Sequence, residues 1–142
     1  MPYHHTQIAF ITLAAVIAAS LICVVGAVLL RPRAAKWTLG IVAAVLLVVA
    51  VVFSTLTVDV GENEVSWFFG PGFWRYRLDR ADVQGVAIVR NPWQYGWGIR
   101  FGPGFRLYNV QGFDAVQLRL KDGQFRRIGT DDPRGLAAAL KR

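Results

Sequence analysis

The apolar and polar positions divide the chain into three regimes. From Ile8 to Leu30, and again from Trp37 to Leu56, no Asp, Glu, Lys or Arg interrupts the apolar run. At a helical rise of about 1.5 Å per residue these runs reach roughly 34 and 30 Å, close to the ~30 Å hydrocarbon thickness of a bilayer. Lipid offers no partner for backbone N–H and C=O groups, so a helix is the conformation such runs take there. The second run is rich in Val and Ile, but its unbroken length overrides a strand reading. Arg31-Pro32-Arg33-Ala34-Ala35-Lys36 between the runs is short enough only for a tight turn. The pattern predicts an N-terminal tail at 1–7 and a transmembrane helical hairpin at 8–56, with helices at 8–30 and 37–56.

Beyond Leu56 the period changes to two. Leu56, Val58 and Val60 alternate with Thr57 and Asp59, and Gly61-Glu62-Asn63 reads as a turn. Glu64–Phe69 forms a second strand before Gly70-Pro71-Gly72, where Pro presets φ and the following Gly accepts positive φ, as a type II turn requires. Trp74, Tyr76 and Leu78 alternate with Arg75, Arg77 and Asp79, which predicts one buried face. Further strands are expected at Val83–Val89, Ile99–Phe101, Phe105–Val110, Val116–Leu120 and Gln124–Ile128. Phe-Gly-Pro-Gly-Phe occurs at 69–73 and again at 101–105, and Asp122-Gly123 is a strong hairpin signal. Asp132 caps a final short helix over 132–141, with Pro133 at its first position and Leu136 and Leu140 on one face. A helix this short must dock by its leucines, most simply over the open end of the sheet. The fold class expected is therefore a membrane-anchored α+β chain: a two-helix hairpin, then a small antiparallel β-barrel or sandwich at 57–142 capped by one helix.

Charge sharpens this picture. The net charge of +7 places +3 in the hairpin turn; residues 59–142 carry 13 basic and 9 acidic side chains, or +4. That balance favours an anionic membrane surface and is too scattered for nucleic acid. The turn's charges place loop 31–36 in the cytoplasm and both termini outside by the positive-inside rule. The N-terminus lacks the basic n-region of a cleavable signal, so the first helix is expected to remain as an anchor. Ala15, Ala19, Cys23 and Ala27 recur every four residues on the first helix, as do Gly40 and Ala44 on the second. Small residues at this spacing let helix backbones approach, within the hairpin or toward another subunit; the alternative is that Ala is simply common in such helices.

Trp93, Tyr95 and Trp97 fall at alternate positions after Asn91-Pro92 and share a face if extended. With flanking Arg90 and Arg100, and with Trp37 at the head of the second run, they are the candidate membrane-interface residues: aromatic rings with a polar tip favour that boundary, and Arg contacts lipid phosphate. The alternative is that Trp97 and its neighbours fill the wall of the β domain.

Catalytic chemistry is sparse. Residues 59–142 contain no His or Cys and one Ser, Ser66, so neither a Ser-His-Asp nor a Cys-His device can be assembled there. His4 and His5 alone do not close a metal site. The carboxylates fall mostly at expected turns and caps. No catalytic, cofactor or metal residues are assigned, and no cofactor is expected.

The strand order followed by one helix, with Gly96-Trp97-Gly98-Ile99-Arg100, Leu107-Tyr108-Asn109-Val110 and Arg127-Ile128-Gly129-Thr130-Asp131-Asp132-Pro133, resembles the bacterial pleckstrin-homology-like membrane proteins with an N-terminal transmembrane hairpin. The resemblance implies a two-pass protein of the bacterial plasma (inner) membrane with a binding or scaffolding role. In that family the domain is often cytoplasmic, opposite to the side the turn charges favour. The basic loop of phosphoinositide-binding members has no counterpart at Gly61-Glu62-Asn63 or Gly70-Pro71-Gly72, so none of their ligand residues carries over. Three functions are weighed: a non-enzymatic membrane-anchored module contacting a protein partner or itself, an accessory subunit of a larger integral membrane complex, and an enzyme. The first is expected, with the lipid bilayer and a protein partner or homo-oligomer as partners.

Overall fold

In the computed structural model, which describes residues 2–141, the chain begins with a strand. The segment expected as a tail contains β1 (Tyr3–Ile8), which pairs antiparallel with β2 (Thr55–Val60) from Tyr3↔Val60 to Ile8↔Thr55. Between these strands lie α1 (Phe10–Leu29) and α2 (Arg33–Val52), each long and apolar enough to cross a membrane. The helical hairpin is thus the connection of a β-hairpin. Ala9 N–H donates to Ser54 C=O at 2.8 Å, so antiparallel helices pass into antiparallel strands with almost no linker.

This splice sets the helix boundaries. Ile8, Leu56 and their neighbours are apolar but are held in the strand ladder, so α1 starts at Phe10 and α2 ends at Val52. At the other end α2 starts earlier than the apolar run, because Arg33-Ala34-Ala35-Lys36 are good helix formers directly behind Pro32. Only 6% and 11% of the apolar windows of α1 and α2 are buried, so neither is the core helix of the β domain.

After β2 come β3 (Glu64–Phe69), β4 (Arg75–Asp79), β5 (Val83–Arg90), β6 (Gly98–Gly102), β7 (Phe105–Asn109), β8 (Asp114–Leu120) and β9 (Phe125–Gly129). They form two sheets, β1-β2-β3-β4 and β5-β8-β9-β7-β6, that do not close into a barrel. The second sheet is mixed rather than antiparallel. β9 returns through the Asp122-Gly123 turn and lies between β8 and β7, which run in opposite directions, so it must be parallel to one of them, and that one is β7.

Leu56, Val58 and Val60 with Val65, Trp67 and Phe69 supply the inner face of the first sheet, and Tyr108, Val116, Leu118 and Ile128 that of the second. Three aromatics join the sheets. Tyr108 lies 5.1 Å from Trp67, edge to face, and 4.7 Å from Tyr76, between ring centroids. The helix α3 (Pro133–Lys141) packs on β5 and β8, burying Leu136, Ala137 and Leu140. Arg80 ties its end to the β2–β3 turn, donating to Gly61 C=O at 2.8 Å and Ala139 C=O at 3.3 Å.

The Asp132 carboxylate accepts from Gly135 N–H at 2.9 Å, capping α3, and also from the Tyr3 hydroxyl at 3.2 Å. Asp132→Ala is expected to lower stability by about 1–2 kcal/mol, read as a drop in the urea midpoint, while Asp132→Asn retains most of the cap.

The two Phe-Gly-Pro-Gly-Phe turns differ. Pro103-Gly104 is a two-residue loop with Gly104 at φ 73°, as the sequence chemistry predicts. In the first, Gly70 is left-handed as well as Gly72, at φ 49° and 84°, because α2 ends directly on it. Gly70 N–H donates to Thr55 C=O at 3.0 Å, and a Cβ there would fall 2.6 Å from Val52 C=O and closer still to that of Val51.

Candidate functional site at the helix–sandwich junction

Both helices are fastened to the β domain at the same end. At α1, the β7–β8 loop supplies the clasp: Ile11 N–H, an orphan donor of the first helical turn, is received by the Gln111 side chain at 3.1 Å, and Thr12 Oγ1 donates to Val110 C=O at 3.3 Å. Buried Gln7 donates to Gln111 C=O at 3.1 Å. At α2, the β3–β4 turn closes on the last carbonyls through Gly70.

The candidate aromatic loop is not extended. Pro92 starts a single 3-10 turn at Trp93–Tyr95, and Gly96 at φ 59° ends it. Alternation therefore does not put the three rings on one face. Trp93 stands 75% exposed. Tyr95 folds toward Phe105, ring centroids 5.3 Å apart, with the Arg127 guanidinium 4.8 Å from the Phe105 ring. Trp97 alone turns to the helix base, its Nε1 donating to Gly112 C=O at 3.3 Å. Arg90 lies 3.8 Å from Asp114 with its guanidinium over the Phe113 ring, and Arg100 donates through Nε to Tyr95 C=O at 2.9 Å. Trp37 is exposed near the opposite end of α2, about 24 Å from Phe53 by helical rise.

Two residues absent from the sequence expectation join the junction instead. Phe73 and Trp74 are 72% and 69% exposed beside the end of α2. The alternation that placed Trp74 on the buried face of β4 fails because the strand begins one residue later, at Arg75. The signal available was two successive large aromatics directly after a turn glycine, where a strand with one buried face offers an inward place to only one of them.

Two adjoining clefts open here. One, of about 320 Å³, is lined by Val52, Phe53, Phe69, Phe73, Trp74 and Ile99 with Tyr76. The other, of about 390 Å³, shares Phe53 and Ile99 and includes Thr12, Val49, Trp97 and Arg100. β4 and β6 are edge strands of their sheets, and Tyr76 on one and Ile99 on the other line the first cleft.

Among the helix-packing candidates, Ala19, Cys23 and Ala27 are half-buried, while Ala15, Gly40 and Ala44 are exposed. The buried seam residues are Ser20 on α1 and Ala43 and Ala50 on α2, and Gly26 admits Leu39 so closely that a Cβ would lie 3.0 Å from its Cδ1. A Cβ on Gly40 would meet nothing within 4 Å.

His4 pairs with Asp59 and His5 with Asp131, binding β1 to β2 and to the approach of α3. Asp79 caps the short turn after β4 and Asp122 the β8–β9 turn. Among the described residues no group of three His, Cys, Asp or Glu is placed to hold a metal ion.

Burial, with the Asp132 carboxylate beside it, pushes the Tyr3 hydroxyl up from the usual tyrosine range, and burial pushes Tyr108 up as well. Both hold their protons more tightly folded than unfolded. The stability they contribute is complete below about pH 10 and is lost as the pH rises beyond it. Urea midpoints are expected to fall above that pH, and to fall less steeply in Tyr3→Phe.

Neither the family models nor the curated proteins compared with this chain match it. The class is therefore defined by architecture: a two-sheet β domain with an apolar helical hairpin spliced into its first β-hairpin and one C-terminal helix.

Proposed function

We propose that the chain is a two-pass membrane protein whose β domain is a non-catalytic, pleckstrin-homology-like module, held against the membrane surface to bind a protein partner or a second copy of itself. The observation that carries this reading is the splice of α1 and α2 between β1 and β2. A flexible linker would let the domain tumble; a continuous ladder with clasps at both helices fixes its tilt and presents one chosen surface. The uncovered apolar side chains of both helices support lipid as their surroundings. The carboxylates Asp79, Asp122 and Asp132 are engaged as caps, which favours the non-catalytic reading. The resemblance to the bacterial pleckstrin-homology-like proteins supports a bacterial plasma-membrane location, and the turn charges favour loop 31–36 cytoplasmic with the domain outside.

The exposed Gly40 and Ala44 support a second reading, an accessory subunit packed into a larger membrane complex. Purification of the full chain in mild detergent separates the two. A homo-oligomer, or one sub-stoichiometric partner lost on dilution, supports the module; a stoichiometric set of foreign integral membrane subunits supports the accessory role. Release of the chain into the supernatant by alkaline carbonate would contradict both.

A further inference from the structure

The joint cleft at the base of α2 has a lining of one chemical kind. Its walls are Val49, Val52, Phe53, Phe69 and Ile99, with Phe73, Trp74 and Trp97 at its aromatic rim. The polar groups nearby are already engaged: Thr12 Oγ1 donates to Val110 C=O and Asn109 Nδ2 to Gly112 C=O. Apart from the Tyr76 hydroxyl, which has no hydrogen-bond partner among the described residues, the exception is Arg100, the one charged group of the lining. Its Nε is fixed on Tyr95 C=O, which steadies the guanidinium, and it makes no ion pair among the described residues, unlike Arg75 and Arg90. An apolar cleft bordered by one unpaired, braced guanidinium complements an amphiphile with an anionic head.

We infer that this cleft seats an acyl chain of an anionic phospholipid drawn from the surrounding bilayer, with Arg100 at its phosphate. The inference rests on the reading of α1 and α2 as membrane-spanning. Continuity selects the occupant. Val49 lines the cleft and also belongs, 39% exposed, to an uncovered apolar face of α2, one turn on from the 55% exposed Val45. A lipid chain lying along α2 enters without crossing polar surface, and its phosphate then stands at the level of the sandwich, where Arg100 is. Each cleft falls within the ~300–1,000 Å³ typical of sites that enclose small ligands.

The test uses the full chain reconstituted in phosphatidylcholine vesicles containing a small fraction of either brominated phosphatidylglycerol or brominated phosphatidylcholine, with Trp fluorescence as readout. Trp37→Phe, Trp74→Phe and Trp93→Phe together leave Trp97 as reporter beside the buried Trp67; a sister protein keeps Trp37 in place of Trp97. Trp97 is expected to be quenched saturably, with about fivefold preference for the anionic lipid, and Arg100→Gln to abolish the preference while quenching of Trp37 stays the same for both lipids. Equal, non-saturating quenching of Trp97 by both lipids overturns the site and leaves the hairpin in the bilayer. So does an unquenched Trp97 beside a quenched Trp37, the result expected if a protein segment fills the cleft. An unquenched Trp37 overturns the spanning reading and the lipid site with it.

Discussion

Deleting residues 2–8 is expected to unfold the β domain and, on the membrane-spanning reading proposed above, to leave the chain in the membrane. β1 lies outside the region where strands are expected from sequence, but it completes the ladder of β2 along all six of its residues. Without it, one edge of β2 loses its hydrogen bonds, and the side of Leu56, Val58 and Val60 that β1 covers is opened. Gln111 loses Gln7, and Asp131 and Asp132 lose His5 and Tyr3. At about 1 kcal/mol net per hydrogen bond, with the buried contacts added, the loss is on the order of 5 kcal/mol, comparable to the whole stability of a small domain. Near-UV circular dichroism of the detergent-solubilised protein, with limited proteolysis of the sandwich loops, reads it out. A dispensable tail would give unchanged spectra and an unchanged digestion pattern.

Gly70→Ala is the second large effect. The residue is left-handed, and the carbonyls of Val51 and Val52 occupy the place of a side chain. Those atoms are backbone at the end of a helix, so they cannot swing aside as a side chain does. The conformational penalty and the collision together are expected to cost about 3 kcal/mol, with α2 prised from the β3–β4 turn. Gly123→Ala is the comparison. It is also left-handed, at φ 81°, but a Cβ there meets nothing within 4 Å. It should cost about 1 kcal/mol, the backbone penalty alone. Urea or thermal midpoints of the two variants separate conformational strain from the helix–sandwich contact; equal losses would show that the contact contributes nothing.

What could be read from the sequence follows from where burial is one-sided. Strands β2 to β9 and α3 lie within a residue or two of their expected places, because each sets apolar side chains against one core and ends in Gly, Pro or Asp turn chemistry. β1 could not be read this way. Of its inward positions only Tyr3 packs against the core, with its hydroxyl on Asp132; His5 and Gln7 meet Asp131 and Gln111, so no apolar alternation marks it. The sheet order was hidden for a different reason: local turn signals specify which strands are hairpins, not that β9 inserts between β7 and β8. The candidate site was half legible. Trp97 and Arg100 do line the junction, but the 3-10 turn at Trp93–Tyr95 takes Tyr95 away from it, and Phe73 and Trp74 arrive through a turn whose geometry α2 imposes.

The central claim is that one rigid piece crosses the bilayer, with loop 31–36 on one side and the sandwich on the other. Cysteine labelling tests it most directly. In a Cys23→Ser background, single cysteines replace Ala34 in the first turn of α2 or Asp122 in the β8–β9 turn, and sealed membranes are treated with an impermeant maleimide before and after permeabilisation. One of the two sites is expected to be labelled already in sealed membranes and the other only after permeabilisation, with Asp122→Cys the outer one if the turn charges set the orientation. Labelling of both sites from the same side would contradict it.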